Sequence, residues 1–413
     1  MSTEPLMVTC CVVGGGPAGM MLGVLLARAG VRTVVLEKHA DFLRDFRGDT
    51  VHPSTLQIMA ELGVLDSFLA RPHQKISIIH GLIGDDEVAI GDFRRLNTTC
   101  KFMAMMPQWE FLDFLSETGT RYPNFEARME HDVVELIEDG EGGRVIGVRA
   151  RTPDGLLDIH ADLVVAADGR HSTVRDLAGF EVTDIGAPID VLWMRLSKKP
   201  TDPDSILGRM TNGAVLITLD RGDYWQCAYV IRKGGNEALR ARGLDAFRAD
   251  LVRIAPFLAD RVGEIAEWEQ VKLLTVAINR LKRWWKPGLL CIGDAAHAMS
   301  PVGGVGINLA VQDAVAAANI LAAPLLAGTV GTGDLDAVQR RRTLAMRVIQ
   351  KMQVVIQERI IDRVLASDKP IKAPWPLRLF NRFPVLRWLP ARVVGLGVRP
   401  EHVHSPESTA SQP

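Results

Sequence analysis

The chain has 413 residues, of which 47% are hydrophobic and 23% are charged, and its formal net charge is -1. This length allows a large core and two or more domains, and the composition is ordinary for a globular protein. The near-zero charge gives no reason to expect a nucleic-acid partner, and the five cysteines show no metal-like spacing, so no metal is expected.

The first predicted elements form a βαβ unit. Residues 7–13 are a short apolar run, which is typical of a buried parallel strand. A helix is predicted for residues 20–29 and a second strand for residues 31–38. The segment between the first strand and the helix reads GGGPAG.

This glycine pattern predicts a dinucleotide site. Gly14 permits a tight turn, Gly16 lets a pyrophosphate approach the backbone, and Gly19 lets helix and strand pack closely. Glu37 ends the second strand, 18 residues after Gly19, where a carboxylate can accept hydrogen bonds from a ribose. The pattern alone does not distinguish FAD from NAD.

The later elements alternate between two kinds of structure. Predicted helices, a predicted hairpin and predicted strands follow in this order: a helix at 54–70, a hairpin at 75–95, a helix at 107–118, strands within 131–166, alternating patches at 190–233, a helix at 244–268, a strand at 271–279 and a helical stripe at 334–366. Two blocks of parallel-type strands therefore flank an antiparallel insert.

The predicted fold class is α/β, with a Rossmann-like nucleotide-binding domain assembled from discontinuous segments, an inserted antiparallel-sheet domain for the substrate and a helical C-terminus. The predicted boundaries are 1–74, 100–180 and 280–330 for the nucleotide-binding domain, 75–99 and 181–279 for the sheet domain, 331–400 for the C-terminal helical region and 401–413 for a disordered tail.

Two further stretches join a strand to an unusual turn. Residues 163–175 read LVVAADGRHSTVR, with Asp168 and Gly169 after the strand. Residues 289–308 read LLCIGDAAHAMSPVGGVGIN, where an acidic residue and several glycines separate a strand from a helix. An acidic residue in such a place needs a hydrogen-bonding reason.

In this order and spacing, GGGPAG and these two stretches resemble the three fingerprints of the flavoprotein aromatic hydroxylases, the family of para-hydroxybenzoate hydroxylase, over residues 7–325. The resemblance implies an FAD-dependent monooxygenase that uses NADPH or NADH as a transient reductant. It implies that O2 forms a flavin C4a-hydroperoxide, which passes one oxygen atom to an aromatic, phenolic or other electron-rich apolar substrate.

The resemblance also implies roles for individual residues. The residues expected to bind the cofactor are Gly14, Gly16, Pro17, Ala18, Gly19, Glu37, Lys38, Arg47, Gln108, Asp168, Gly169, Asp294, Gly304, Gly306, Ile307 and Asn308. Pro301 is expected to border the reactive face of the flavin, and the backbone amides of Ile307 and Asn308 are expected to stabilise the negative charge of the reduced ring. His171 and His297 each keep two interpretations, one functional and one structural.

Other functions of the same fold stay open. Halogenases of this fold carry Trp-x-Trp-x-Ile-Pro, and Baeyer–Villiger enzymes carry Phe-x-Gly-x-x-x-His-x-x-x-Trp-Pro; neither motif occurs in the sequence. A flavin reductase or dehydrogenase acting on an isoprenoid or polyketide, and a non-catalytic FAD-binding module, remain alternatives.

The substrate is expected between the inserted sheet and the flavin. The predicted wall residues are Trp193, Arg195, Met210, Leu216 and Trp225. Their character indicates a bulky apolar or aromatic substrate.

The segment 374–400 carries five arginines and no acidic residue, together with several large apolar residues. A helical cap over the catalytic domain is the favoured interpretation, and contact with a membrane surface is the less favoured one. No secretory leader is recognised, so the predicted compartment is the cytoplasm, with peripheral membrane attachment as the alternative. The sequence does not predict the oligomeric state.

Overall fold

The computed structural model of the protein describes residues 4–43, 50–140, 143–203 and 208–408. The strands in these ranges are β1 Leu6–Val13, β2 Thr33–Leu36, β3 Thr50–Val51, β4 Gln74–Ile76, β5 Ile78–Ile83, β6 Asp86–Asp92, β7 Met103–Met105, β8 Phe125–Arg128, β9 Asp132–Asp139, β10 Arg144–Thr152, β11 Gly155–Ala166, β12 Val182–Asp184, β13 Ile189–Ser197, β14 Gly208–Thr211, β15 Ala214–Asp220, β16 Tyr224–Arg232, β17 Lys272–Leu274, β18 Asn279–Leu281, β19 Trp285–Lys286 and β20 Leu289–Cys291. The α-helices are α1 Pro17–Arg28, α2 Pro53–Glu61, α3 Leu65–Leu69, α4 Gln108–Gly119, α5 Thr173–Leu177, α6 Asn236–Ala241, α7 Leu244–Ile254, α8 Gly306–Leu326, α9 Thr332–Ile356, α10 Asp362–Leu365, α11 Trp375–Arg382 and α12 Trp388–Gly395.

One sheet is built around five neighbouring parallel strands, in the order β20, β11, β1, β2 and β8. Strands β10 and β9 extend it from β11, and β19 pairs with β20, all by antiparallel pairing. The second half of β1 and all of β2 are buried, as a parallel sheet covered on both faces requires. Helices α1 and α8 pack together in the same core.

A second sheet has the order β17, β13, β16, β15, β14, β5 and β6. Its neighbours are antiparallel except β14 and β5, which run parallel and join residues 78–92 to residues 189–274. The predicted fold class is confirmed: a parallel nucleotide-type sheet from separate segments carries an inserted, mostly antiparallel sheet, and helices follow.

Helix α8 runs through the core. Among the described residues, one helical stretch, Val302–Leu326, is long and apolar enough to span a membrane by length and composition alone, and 72% of its most apolar window is buried inside the protein. Such a profile also fits the core helix of a globular domain.

The C-terminal tail differs from its prediction. Glu401 is buried and pairs with Arg341 and Arg342 on α9, and the backbone N–H of Ser408 donates to the carbonyl of Arg28 on α1. The predicted disorder of residues 401–413 is therefore wrong for 401–408, because these contacts hold the segment against two helices. Residues 409–413 lie outside the described residues.

Candidate functional site

Four loops meet at one edge of the parallel sheet. The register pairs Val13 with Leu36 on one side and with Ala166 on the other, and pairs Ala166 with Cys291. Strands β2, β1, β11 and β20 therefore end side by side, and the loops that follow them are the stretches with the predicted site residues. In open parallel sheets, ligands bind at this carboxyl edge.

Three of these loops carry the glycine-rich stretches: the first loop (14–16) follows β1, the second loop (167–172) follows β11 and the third loop (292–305) follows β20. The first loop is tightly built from glycines. Gly14 has φ +108°, and a Cβ there would lie 2.5 Å from the carbonyl oxygen of Ala167 in the second loop. A Cβ at Gly19 would collide with the carbonyl oxygen of Gly14. Gly16 caps α1 in an extended conformation, and Pro17 begins the helix, so the first amides of α1 have no intrahelical partner. They form a ready anion site.

Glu37 closes the first loop from β2. Its Oε2 accepts the backbone N–H of Gly15 at 3.1 Å, and its Oε1 accepts the N–H of His39 at 3.0 Å. The carboxylate therefore faces the glycine loop, whereas Lys38 is exposed to solvent. The next residue of the first helix after Pro17, Ala18, is buried.

Asp168 organises the second loop. Its Oδ1 accepts the hydroxyl of Ser172 at 2.5 Å, and its Oδ2 accepts the backbone N–H of Val174 at 3.1 Å. Burial raises the pKa of Asp168, although these hydrogen bonds act in the opposite direction. The carboxylate is thus engaged at the start of α5, and the adjacent Gly169 has φ +87°.

The second and third loops are joined by a pair that sequence reasoning missed. Nη2 of Arg170 lies 3.6 Å from Oδ2 of Asp294. Nη1 of Arg170 is buried, and no hydrogen-bond partner for it occurs among the described residues. The sequence feature that could have indicated this pair is the arginine directly after Asp168-Gly169. Its free N–H groups lie where an anionic or polar ligand could accept from them.

The third loop uses two glycines in succession in the left-handed region, Gly303 at φ +81° and Gly304 at φ +62°. The hydroxyl of Thr50 donates to the carbonyl of Gly304 at 2.6 Å, and a Cβ at Gly304 would collide with that hydroxyl. Pro301 precedes this turn, and its carbonyl accepts the N–H of Gly304 at 3.0 Å. Thr50 thus fixes the turn from another part of the chain.

Helix α8 begins directly after this turn. Leu309 donates its N–H to the carbonyl of Val305, so Ile307 and Asn308 lie in the first turn, whose amides lack intrahelical acceptors. The Asn308 side chain accepts from the N–H of His52 at 2.8 Å and from the hydroxyl of Thr55 at 2.7 Å. It therefore ties the start of α8 to the segment around α2, a structural role that the sequence did not indicate.

Strand pairing places Gln108 near the third loop. It begins α4, shortly after β7, and Met105 of β7 pairs with Thr50 of β3. Thr50 in turn contacts Gly304. The predicted cofactor residue Arg47 lies outside the described residues.

Each of the three loops leaves room for a ligand. A Cβ added at Gly169 or Gly306 would meet no atom within 4 Å, and one at Gly16 would meet only the carbonyl oxygen of Ala167, at 3.9 Å. Packing within the protein therefore does not require glycine at Gly16 or Gly306, where φ is not positive. With the first-turn amides of α1 and α8, which have no intrahelical acceptors, these residues fit a dinucleotide such as FAD, whose phosphates would accept from helix N-termini.

One face of the inserted sheet meets the third loop. Met210, Val215 and Val230 form an apolar cluster with Val302, the residue after Pro301. Trp193 lies on the same face and packs with Met103 and Met105. Arg195 is at its exposed end, with the guanidinium over the ring of Tyr224 at 3.8 Å.

Two predicted wall residues lie on the opposite face. Leu216 and Trp225 are buried in the cluster that includes Phe247 and Leu251 of α7. Nε1 of Trp225 donates to Oδ2 of Asp202 at 2.7 Å. Their assignment to the substrate wall was wrong, because α7 covers the face to which their side chains belong.

The structure places His171 and His297 in different surroundings. His171 is exposed. His297 is buried, its Nε2 is 2.6 Å from Oδ2 of Asp313, and its ring lies 4.9 Å from that of Trp284. The structure thus gives His297 a structural contact that ties the third loop to α8.

Comparison with known proteins agrees with this site. The family described as FAD binding domain matches residues 7–352. The chain is 34% identical over 388 residues to the 6-methylpretetramide 4-monooxygenase of Streptomyces rimosus, covering 93% of this chain and 91% of that protein. It is 28% identical over 368 residues to the rifampicin monooxygenase of Streptomyces venezuelae, covering 84% and 70%.

Among solved structures, PqsL, a probable FAD-dependent monooxygenase from Pseudomonas aeruginosa, has the same fold, with a TM-score of 0.73 and 22% identity over 87% of this chain and 98% of that chain. The family match spans most of the sequence, and its three glycine-bearing loops meet at one sheet edge. The chain therefore belongs to the FAD-binding domain family and is an FAD-dependent monooxygenase that resembles the aromatic hydroxylases.

Proposed function

We propose that this enzyme uses NADPH or NADH to insert one atom of O2 into an aromatic or phenolic substrate. The observation that carries this proposal is the position of the Pro301–Gly306 turn. It lies at the cofactor edge of the parallel sheet and also packs, through Val302, on an apolar face of the inserted sheet. A flavin ring at this turn would have a substrate surface beside it.

The first loop and Glu37 would hold the adenosine half of FAD. The amides at the start of α1 would donate to the pyrophosphate, and Gly16 leaves the approach open. Glu37 would accept from the ribose while it keeps the N–H of Gly15. Lys38 and Arg47 would contribute charge on the phosphate and ribose side.

The second loop and the start of the third would hold the middle of the cofactor. Asp168 keeps the turn before α5 in place, so Gly169 can approach FAD or the reductant. Asp294 would accept from the ribityl chain, and Arg170 would hold Asp294 in place. Gln108 would contact the cofactor from the start of α4.

The third loop would carry the catalytic groups. Bound FAD would supply electron transfer from NAD(P)H and the activation of O2. The amides of Ile307 and Asn308 would donate to the pyrimidine edge of the ring, where reduction places negative charge, and they need no reactive side chain to do so. Pro301 would border the reactive face, and Gly304 and Gly306 would keep the backbone close.

The sheet face with Trp193 and Met210 would form one wall of the substrate site, with Arg195 at its exposed end. Such a wall suits a bulky aromatic molecule and adapts through methionine side chains. Two relatives are named for 6-methylpretetramide and rifampicin, which supports a polyketide-type aromatic substrate.

We place the enzyme in the cytoplasm and treat contact of residues 374–400 with a membrane as the less favoured arrangement. The segment forms α11 and α12, and α11 packs on β6, as a helical cap would. Trp375 and Leu389 on this segment are exposed, which keeps the alternative open.

The test is a screen of phenols and aromatic polyketides by stimulated NAD(P)H oxidation, with product and hydrogen peroxide measured together. A hydroxylated product formed in proportion to NAD(P)H supports the proposal. Flavin reduction with no oxygenated product from any compound would favour a reductase or dehydrogenase. A protein that binds FAD but oxidises neither NADH nor NADPH would be a non-catalytic module.

A further inference from the structure

Helix α9 and the turn after it bury a row of polar side chains. Arg342, Gln350, Gln353 and Gln357 are each at most 1% exposed. Burying an amide without partners costs about 1–3 kcal/mol. A row of such residues on one helix therefore requires hydrogen-bond partners, and most of these lie in the third loop and the segments packed against it.

Gln353 makes the closest set of contacts. Its Oε1 accepts the backbone N–H of Ser300 at 3.1 Å. Its Nε2 donates to the carbonyl of Ser300 at 2.8 Å and to the carbonyl of Val302 at 2.9 Å. These three hydrogen bonds fix the backbone on both sides of Pro301.

Pro301 depends on such outside support. Proline has no backbone N–H, so it cannot donate a hydrogen bond to fix its own position. The turn that follows contains Gly303 and Gly304, which restrain the backbone little by themselves. Thr50 restrains this turn at Gly304, and the amide of Gln353 restrains the residues on both sides of Pro301 from helix α9.

Two other residues of this row, Gln350 and Arg342, support the beginning of the third loop. Nε2 of Gln350 donates to the carbonyls of Asn279 and Ala298, at 2.8 Å and 3.2 Å. Arg342 donates to Asp313, whose other oxygen accepts the N–H of Gly293 at 3.1 Å. Helix α9 therefore supports the third loop from Gly293 onwards.

The segment that directly follows helix α9 also contacts the inserted sheet. The helix continues through a π-helical turn at Gln357–Ile361, and Ile361 and Val364 join Val215 and Val302 in one apolar cluster. A π turn shifts the direction of the side chains that follow it. A single continuous element thus fixes both the loop around Pro301 and the sheet face beside it.

We propose that Gln353 is a positioning residue that sets the place of Pro301 against the flavin and the substrate face. This proposal rests on the proposed function, in which Pro301 borders the reactive face of the ring. Gln353 itself touches neither cofactor nor substrate; it acts through the backbone of Ser300 and Val302.

The test compares Gln353→Met with Gln357→Met in the FAD-loaded enzyme. Methionine fills nearly the same volume and removes the hydrogen bonds. Gln357 is the matched control, because it is equally buried and, within the described part of the chain, donates only to the carbonyl of Gln353 in its own helix. The readouts are the visible circular dichroism of bound flavin, the FAD dissociation constant and the share of NAD(P)H oxidation that ends as peroxide.

Gln353→Met is expected to change the visible circular dichroism of the flavin and to lower coupled product formation on the order of tenfold, since small misplacements carry such costs. Gln357→Met is expected to match the wild type. An unchanged flavin spectrum in Gln353→Met, or the same change in both variants, would overturn the proposal.

A second variant, Gln353→Glu, tests the proposal if Gln353→Met folds poorly. Gln353→Glu keeps an acceptor for the N–H of Ser300 but, when ionised, cannot donate to the two carbonyls. Its flavin spectrum is expected to return toward that of the wild type as pH falls and the carboxyl gains a proton; a spectrum that does not change with pH contradicts the proposal. These spectra need no turnover. A wild type that forms no product would refute the proposed function without deciding the role of Gln353.

Discussion

Nε of Arg342 donates a hydrogen bond to Oδ1 of Asp313 across 2.8 Å, and both side chains are buried. The other oxygen of Asp313 accepts from the N–H of Gly293 and from His297. Burial alone would raise the pKa of Asp313, but His297 and Arg342 favour the carboxylate, and the pKa lies below its ordinary value. The base of the third loop is thus fixed by a buried charge.

Replacing Arg342 should remove the guanidinium partner of the Asp313 carboxylate. Arg342→Met is expected to lower the free energy of unfolding by about 3–5 kcal/mol, the usual cost of breaking a buried ion pair from one side. Urea unfolding with FAD in excess measures this. Arg340→Met is the control on the same helix, since Arg340 pairs with Asp336 at the surface, and it should cost at most about 1 kcal/mol. Equal losses would contradict the account.

The tail residue Glu401 should contribute to the same network. It is buried and pairs with Arg341 and Arg342. Glu401→Ala is expected to cost about 3 kcal/mol of unfolding free energy, because Arg341 loses its carboxylate partner and the buried Arg342 loses one of its two carboxylates. Glu407→Ala removes a more exposed carboxylate that pairs with Arg28, and it should be nearly neutral. A neutral Glu401→Ala would mean that the tail does not stabilise the protein.

His52 should make stability depend on pH. Burial lowers its pKa to about 4, and the hydrogen bond of Nδ1 to the carbonyl of Val394 acts in the opposite direction with a smaller effect. Because the folded pKa lies below the unfolded value, the contribution is present above pH 6.5 and is lost as pH falls toward 4. Between pH 7 and pH 5 the expected loss is about 2 kcal/mol.

The measurement is the free energy of unfolding at both pH values for the wild type and for His52→Asn. Asparagine can still donate to the carbonyl of Val394, which His52 contacts at 2.7 Å, but it does not titrate. The variant should lose about 2 kcal/mol less than the wild type over this interval. The same pH dependence in both proteins would remove His52 as its source.

Two glycines of the third loop should respond differently to alanine. Gly304→Ala would place a Cβ against Thr50 at a positive φ, so the protein itself should lose about 2 kcal/mol or more with or without FAD. Gly306→Ala meets no protein atom within 4 Å, so the apoprotein should unfold as the wild type does while FAD binding weakens. Unchanged FAD affinity in Gly306→Ala would contradict the placement of the ring at this loop.

The sequence predicted the parts of the site that depend on local pattern. GGGPAG between a strand and a helix, and Asp168-Gly169 after another strand, each specify a turn within a few residues. That these turns meet was inferred from the family resemblance. The physical reason is the register of β1, β11 and β20, which joins residues far apart in the chain.

The substrate face shows where the sequence was insufficient. Alternation correctly separates Trp193 from Leu192 along β13, but it does not say which face a neighbouring helix will cover. Trp225 was misplaced because α7, whose packing is non-local, covers its side. Gln353 was missed since a glutamine in an amphipathic helix reads as a surface residue until its acceptors are known.

The most direct test of the central claim is incorporation of oxygen from ¹⁸O2 by the purified FAD-loaded enzyme with NADPH or NADH and a substrate found in the screen. Mass spectrometry of the product is expected to show one ¹⁸O atom from ¹⁸O2 and none from labelled water. A product whose added oxygen comes from water, or NAD(P)H consumption that yields only hydrogen peroxide with every substrate, would contradict the assignment of this site to oxygen insertion.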